Sequence, residues 1–395
     1  MLLSLALIFI CGMALGAIFQ KLKLPSLLGM ILTGILLGPF VLNLLDPSLL
    51  SISADLRQIA LIIILTRAGL NLNLRDLKKI GRPAILMCFI PACFEIIGMM
   101  LLAPKLLGIS LLEAAIMGTV VAAVSPAVIV PRMLHLMDEG YGTEKGIPQM
   151  IMAGASVDDV FVIVLFTAFT RLAQGGSITP LSLLTIPTSI TFGLIAGIIV
   201  GTLLILLFKM KHIRDSSKVV IILSVAFLLV TLEKNMTGII GFSGLLGVMA
   251  TGATLQQKKP ELAKRLSGKF SKLWVGAEVL LFVLVGTTVN IGFALKAGAM
   301  AVVLIFCVLI FRMMSVFVSL MKTPLNKKER IFSAFAYMPK ATVQAAIGGL
   351  PLAMGIVGGE IILTVAVLAI LITAPLGSVL IDSSYKKLLS KSTVS

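Results

Sequence analysis

The sequence predicts an all-α polytopic membrane protein of about thirteen transmembrane helices, arranged as two inverted six-helix repeats. Composition is the first indication, because 58% of the 395 residues are hydrophobic, 13% are charged and the mean hydropathy is +1.12. A soluble domain could not bury that much apolar surface. The second indication is a series of apolar segments, and the third is a proline in the middle of two of them.

The apolar segments alternate with short polar connections along the chain. They lie at approximately 2–19, 26–45, 56–70, 82–103, 112–134, 146–170, 183–208, 217–232, 238–255, 273–291, 297–320, 329–351 and 358–381. The first begins at Leu2 without a charged stretch or a cleavage site, so we interpret it as a retained membrane helix and not a signal peptide.

Basic residues collect on alternate connections. Most of the 33 Lys and Arg lie on one set, and the opposite set holds only Arg57, Lys105, Arg171, Lys234 and Lys296. The positive-inside rule puts the rich set in the cytoplasm, which predicts an outer N-terminus and a cytoplasmic C-terminus in the cell (inner) membrane. The net charge of +16 therefore reflects orientation in the bilayer and does not indicate nucleic-acid binding.

Few ionisable side chains remain deep inside the apolar segments, and they include Glu95, Arg312 and Lys340 besides two aspartates. A charge at bilayer depth costs several kcal/mol unless it is paired, hydrated or protonated. We therefore expect internal pairing between opposite charges. Arg312 keeps its proton at any physiological pH, so it needs a permanent acidic partner.

Asp158 and Asp159 are the only ionisable residues of the stretch 146–168. Neighbouring residues of a helix point about 100° apart. One carboxylate can therefore face a cavity while the other faces a neighbouring helix. Ser156 precedes Asp159 by three residues, which places both on one face, and it offers a hydroxyl ligand.

Two segments carry a proline in mid-helix, Pro126 after Ser125 in the fifth and Pro339 in the twelfth. A proline there removes a backbone hydrogen bond at a cost of about 3 kcal/mol. Segments 1–6 and 8–13 each form one half of the chain, and the halves have opposite orientations because one helix lies between them. Segments 5 and 12 are each the fifth of their half, so the two prolines occupy matching positions. Such matched interruptions predict an ion site at the membrane centre. Lys340 follows Pro339 and can neutralise the negative ends of the broken helices.

Three glycines, Gly193, Gly197 and Gly201, line one side of the seventh segment at four-residue spacing. Small residues so spaced allow two helices to approach closely. The pattern fits a dimer interface and packing within one protomer equally well.

Five stretches resemble the cation/proton antiporter superfamily, specifically its NHA-type sodium/proton branch, with NapA and NhaA as more distant relatives. They are LPSLLGMILTGILLGP (24–39), LTRAGLNLN (65–73), AVSPAVIVP (123–131), GASVDDV (154–160) and MPKATVQAAIG (338–348). The resemblance implies the NhaA-like fold with two crossing unwound helices. It also implies a homodimer, with dimerisation helices at approximately 1–45 and 183–255 and an ion-carrying core at approximately 56–170 and 273–381.

The resemblance also implies roles for the deep charges. Asp159 would bind cation and proton in turn, with Asp158 beside it. Arg312 would stand where NapA-like relatives have a lysine, Glu95 would pair with it, and Lys340 would be the lysine of the second crossing helix.

Two positions depart from the pattern of these relatives. Val124-Ser125 replaces the acid that NhaA-like relatives carry in the first crossing, and Gly154-Ala155 replaces the Glu-Ser of electroneutral relatives. The resemblance therefore leaves Ser125, Ser156 and backbone carbonyls such as that of Val124 as further cation ligands.

The sequence thus predicts a secondary Na+ or Li+/proton antiporter that works by alternating access and needs no cofactor. Its partners would be the bilayer, a second copy of the chain and the exchanged ions. Because Arg312 cannot release a proton, we expect one-for-one, electroneutral exchange. The alternatives are a K+/proton antiporter and a cation channel of the same architecture. An intramembrane aspartyl protease is disfavoured because its two carboxyls must converge on one water, which neighbours on a helix cannot do.

Overall fold

The computed structural model describes residues 1–72, 81–174, 185–210, 213–235 and 242–392, and in these ranges the regular secondary structure is helical. In chain order the helices are α1 (Leu2–Lys21), α2 (Ser26–Leu37), α3 (Pro47–Ser51), α4 (Ser53–Asn71), α5 (Arg82–Met87), α6 (Ile90–Leu107), α7 (Leu111–Ala122), α8 (Pro126–Asp138), α9 (Ile147–Gln174), α10 (Thr185–Met210), α11 (Asp215–Asn235), α12 (Gly244–Lys258), α13 (Pro260–Thr287), α14 (Ile291–Ser319), α15 (Lys327–Ala336), α16 (Thr342–Ile347), α17 (Leu350–Ala353) and α18 (Gly359–Leu388).

Each of the thirteen apolar segments contains helix. Within the described residues, nine helical stretches are long and apolar enough to cross a membrane. The other four segments contain shorter or less apolar helix: α2, α4, α12 and the α15–α17 region. The protein is thus an all-α, multi-pass membrane protein as predicted, and the number of crossings stays a prediction.

The two segments that were predicted to break at a mid-helix proline, the fifth and the twelfth, are both interrupted, whereas α18 continues through Pro375. The first break lies between α7 and α8, where Ala123 and Ser125 are extended and Pro126 is the first residue of the new helix. Proline is compatible with that position because its missing N–H would find no partner in the first turn. The second break covers residues 337–341, between α15 and α16, and contains Pro339. The two predicted interruptions are confirmed.

A third interruption was not predicted. Segment 82–103, expected as one helix, divides at Cys88 and Phe89 into α5 and α6. Pro91, the second residue of α6, has no N–H to donate to the carbonyl of Met87 four residues earlier, which weakens the helix at this point and favours a break. The break brings Phe89 edge-on against Phe161 of α9, with ring centroids 5.2 Å apart.

The chain divides into two compact units. The first comprises Met1–Ala54, Asp76–Val162 and Val279–Ser395, and the second comprises Asp55–Arg75 and Ile163–Glu278. The helices α1 and α2 belong to the same unit as the two aspartates. A β-carbon on Gly12 of α1 would lie 2.9 Å from the Val279 side chain, which shows how tightly α1 packs there. The dimerisation role of these helices stays a prediction.

The three aligned glycines of α10 pack against α12 of the same chain. A β-carbon on Gly197 would lie 2.5 Å from the side chain of Ala250, and one on Gly201 would lie 2.8 Å from that of Thr254. Gly193 likewise faces Ser243. Of the two predicted uses of this face, the structure shows packing within one protomer. A dimer contact that involves Gly193, Gly197 and Gly201 stays a prediction.

Candidate functional site

The two helix breaks touch each other. The backbone N–H of Ser125 donates to the carbonyl of Pro339 at 2.8 Å. The side-chain amide of Gln344, from α16, donates to the carbonyls of Val121 and Ala123 at 3.0 and 2.7 Å. Carbonyls at the end of a helix have no partner within it. The second break therefore supplies partners for groups that the first break leaves open.

Arg312 of α14 lies completely buried beside the breaks, with 0% of its surface exposed. Its guanidinium contacts Glu95 Oε2 at 2.5 Å and Asp158 Oδ2 at 3.2 Å. It also donates to the carbonyls of Ala122 and Tyr337, one at the edge of each break. One planar group with five N–H donors thus binds two acids and two helix ends.

Lys340 lies in the second break and points toward the first. Its ammonium contacts Glu95 Oε2 at 2.6 Å and the carbonyl of Ala122, the last residue of α7, at 3.2 Å. Its backbone N–H donates to Thr373 Oγ1 at 2.9 Å. Lys340 thus contacts a carbonyl at a helix end, and its charge-compensating role stays a prediction.

Asp158 is held from two sides. Its Oδ2 accepts the Val124 N–H at 2.9 Å and pairs with Arg312. The resemblance implied a pair between Arg312 and Glu95, and the structure contains that pair. The guanidinium also reaches Asp158, which the sequence did not predict.

Asp159 is also buried, with 6% of its surface exposed. Within the described residues it forms no ion pair, and its Oδ1 has no hydrogen-bond partner. The formal charges of Glu95 and Asp158 balance those of Arg312 and Lys340. Asp159 is therefore the carboxylate that this cluster leaves uncompensated, and the predicted separation of the two aspartates is observed.

Buried oxygens without a partner are concentrated around the breaks. In the described part of the chain they include Ser125 Oγ, Asp158 Oδ1, Asp159 Oδ1, Tyr337 Oη and Gln344 Oε1. An unsatisfied buried polar group is costly, so it needs an explanation such as an ion or a water. Hard cations take oxygen ligands. The carboxylate, hydroxyl and amide oxygens in this set are ligand types that a small cation accepts.

The remaining predicted residues divide into three groups. Pro126 and Pro339 form the breaks. Val124 contributes its N–H to Asp158, whereas the sequence assigned it a carbonyl ligand for the cation. The side chain of Ser156 lies outside the described residues. Sequence reasoning missed Gln344 and Tyr337, although a polar amide inside an apolar segment was a signal for the first.

Comparison with known proteins agrees with this fold. The family described as "Sodium/hydrogen exchanger, transmembrane" matches residues 5–383. Sodium/hydrogen exchanger 9B2 of Homo sapiens is 34% identical over 415 residues, which cover 99% of this chain and 75% of that protein. Sodium/hydrogen exchanger 9B1 of Homo sapiens is 31% identical over 418 residues, covering 99% and 78%.

The solved structure of the sodium proton antiporter MjNhaP1 from Methanocaldococcus jannaschii superposes with a TM-score of 0.84. The match covers 97% of each chain at 18% identity, so it shows the fold, and the predicted antiporter fold is confirmed. Given a family match that covers nearly the whole sequence, the chain belongs to the sodium/hydrogen exchanger family.

Proposed function

We propose that this chain exchanges Na+ or Li+ for protons by alternating access, with Asp159 binding cation and proton in turn. The relatives named above are sodium/hydrogen exchangers, which supports the reaction. The residue assignment is supported by the charge distribution around the helix breaks.

The observation that carries the proposal is the isolation of Asp159 next to a balanced cluster. Glu95, Asp158, Arg312 and Lys340 compensate one another through contacts of 2.5 to 3.2 Å. A buried carboxylate that lacks such a partner must be neutralised by something that arrives from outside. A proton and a monovalent cation both do so, and one carboxylate cannot hold both. Competition for Asp159 therefore couples the two fluxes.

Asp158 and Ser125 have supporting roles. One oxygen of Asp158 is fixed by Arg312 and by the Val124 N–H, so its other oxygen, Oδ1, has a defined direction. Ser125 Oγ stands at the adjacent break without a partner among the described residues. Both oxygens are cation ligands in this proposal, and fixed ligands hold an ion at a lower cost in entropy.

The exchange is one-for-one and electroneutral in this proposal. Arg312 keeps its charge at all physiological pH values and serves two acids at once. Lys340 is bound to Glu95 and to a helix carbonyl. Asp159 is then the single group whose protonation changes through the cycle. The charge that enters as Na+ equals the charge that leaves as H+.

The carrier works as a homodimer in the lipid bilayer of the cell membrane, with an outer N-terminus and a cytoplasmic C-terminus. The alternation of basic connections supports this orientation. Discontinuous helices at an ion site are typical of carriers in which one part of the protein moves against another.

The test is proton release from acid-loaded everted vesicles on addition of Na+, Li+ or K+, with and without an imposed membrane potential. Asp159→Asn should abolish the signal for every cation, whereas Asp138→Asn, the same change on an exposed residue at the end of α8, should leave it intact. Transport by the Asp159→Asn variant would contradict the assignment. A response to K+ instead of Na+ or Li+ would favour the alternative cation, and dependence on the potential would contradict electroneutrality.

A further inference from the structure

Tyr337, the first residue of the second break, carries a buried hydroxyl that the mechanism above does not use. The side chain has 0% of its surface exposed. Among the described residues, its hydroxyl has no hydrogen-bond partner. Buried tyrosine hydroxyls usually find one, so this group needs a reason for its position.

The hydroxyl lies against the helix that carries the aspartates. It is so close to Gly154 of α9 that a β-carbon there would overlap it. Gly154 precedes Asp158 by four residues, which places both on the same face of the helix. The missing side chain at Gly154 is what allows the phenol to reach this face.

The ring of Tyr337 also lies close to the group that binds Asp158. It lies over the guanidinium of Arg312, whose Cζ is 5.5 Å from the ring centroid. The same guanidinium holds Asp158 at 3.2 Å. The Tyr337 carbonyl accepts from Arg312 Nε at 2.5 Å, so the backbone is fixed as well. The hydroxyl thus lies against the face of α9 that carries Asp158, and the ring lies against the guanidinium that binds Asp158.

We propose that the Tyr337 hydroxyl is a neutral oxygen ligand of the transported cation, beside the open Oδ1 of Asp158. The inference rests on the proposed function and adds a residue to its site. A phenolic hydroxyl accepts as well as donates, so its oxygen can face a cation while its proton faces water or a carboxylate. Its cation ligation also explains why a polar atom is buried here without a partner in the protein.

The structure makes Tyr337→Phe an informative variant. The substitution removes an oxygen that forms no hydrogen bond with the described residues, so it breaks none. A purely structural role therefore predicts equal or higher thermal stability and unchanged transport. Ligation predicts an apparent KM for Na+ and Li+ raised about fivefold, the effect of losing one contact of hydrogen-bond strength, with a maximal rate changed less than about twofold.

The chain provides a matched control in Tyr141, one of its three tyrosines, which lies in the connection between α8 and α9. Tyr141→Phe also removes a phenolic oxygen, but at a position far along the chain from the breaks. It should leave the KM for Na+ and Li+ unchanged. Gly154→Ala places a methyl group where the hydroxyl lies, on the side of α9. Because it displaces the hydroxyl, it should raise the KM as Tyr337→Phe does. In the Tyr337→Phe background the overlapping oxygen is gone, while Met87 Cβ at 3.0 Å and the ring carbon at 3.2 Å remain, so Gly154→Ala should raise the KM by less than it does alone.

Two measurements separate failure of this inference from failure of the proposed function. Cation-dependent exchange in vesicles gives KM and maximal rate, and Na+-dependent thermal stabilisation of the purified protein reports binding without transport. A KM within twofold of the unsubstituted protein in both Tyr337→Phe and Gly154→Ala overturns the inference, while exchange itself continues. Absence of exchange in the unsubstituted protein would instead overturn the proposed function. If the added methyl group of Gly154→Ala prevents folding by overpacking, the KM of Tyr337→Phe alone decides.

Discussion

The backbone N–H of Ser125 and the carbonyl of Pro339 form a 2.8 Å hydrogen bond that joins the two interrupted helices. Each group is available only because its own helix is broken. In a regular helix the N–H would bond four residues back, and the carbonyl four residues forward. The two breaks therefore satisfy each other, which lets backbone polar groups exist at bilayer depth without exposure to lipid.

The same contact fixes the register of the charged side chains. Lys340 follows Pro339 directly, and Ser125 follows Val124, whose N–H binds Asp158. Arg312 then reaches Asp158, Glu95 and both breaks from a third direction. The position of the free carboxylate of Asp159 thus depends on a network whose strength can be measured residue by residue.

The first prediction concerns the charge balance of this network. Arg312→Gln leaves Glu95 and Asp158 with one cation, Lys340, and should cost about 3–5 kcal/mol because it leaves a buried charge uncompensated. Glu95→Gln together with Arg312→Gln restores the balance of one acid and one base, so the double variant should be more stable than Arg312→Gln alone. Thermal unfolding in detergent measures the difference. Additive losses would contradict mutual compensation.

The second prediction concerns Gln344. Its amide caps the carbonyls of Val121 and Ala123, so Gln344→Leu leaves two buried acceptors unpaired. We expect a loss of about 1–3 kcal/mol in the free energy of unfolding. Gln257→Leu is the matched control, because Gln257 is exposed near the end of α12. Equal melting temperatures for the two variants would show that the caps contribute little.

The sequence predicted the helix breaks of this site, but it did not predict all of its ion pairs. Pro126 and Pro339 predicted both breaks, because a proline in mid-helix removes a hydrogen bond and kinks or breaks the helix. Their matching positions in the two halves distinguished them from a proline such as Pro375, through which α18 continues. The different surroundings of Asp158 and Asp159 could also be predicted, because neighbouring residues of a helix point about 100° apart. The pairing of Arg312 with Asp158 was missed, because a guanidinium can serve two acids and only the spatial arrangement shows that both lie within reach.

The third break shows a different limit. Pro91 stands near the start of an apolar segment, where a proline is compatible with a helix that begins there. Sequence alone does not say whether one helix begins at Arg82 and continues, or whether it ends and a second helix begins at Ile90. The packing of Phe89 against Phe161 favours the second start, and such a contact between distant segments is not visible in a local pattern.

The third prediction tests the glycine face of α10. Gly197→Ala places a methyl group 2.5 Å from the side chain of Ala250, so we expect a loss of about 1–3 kcal/mol by overpacking. Gly268→Ala in α13 is the same substitution where a β-carbon meets no described atom within 4 Å. It should stabilise by about 1 kcal/mol through helix propensity. A Gly197→Ala variant as stable as the unsubstituted protein but altered in oligomeric state would favour the dimer interface instead.

The fourth prediction compares two ion pairs near helix ends that the positive-inside rule places toward the cytoplasm. Lys145 contacts both oxygens of Glu329 at 2.9 Å, and the Glu329 side chain is 1% exposed. Arg132 binds Asp382 at 3.0 Å, but the Asp382 side chain is 52% exposed. Solvent screens an exposed pair, whereas a buried carboxylate that loses its cation keeps the cost of desolvation.

Lys145→Gln should therefore lower the free energy of unfolding by about 1–3 kcal/mol, and Asp382→Asn by less than about 1 kcal/mol. The Lys145 effect should also persist in high salt, because burial limits screening, whereas any effect of Asp382→Asn should vanish there. Thermal unfolding in detergent at low and high NaCl measures both differences. Since NaCl also supplies the transported ion, the series should be repeated with a chloride salt that gives no exchange signal. A larger loss for Asp382→Asn than for Lys145→Gln would contradict the ranking by burial.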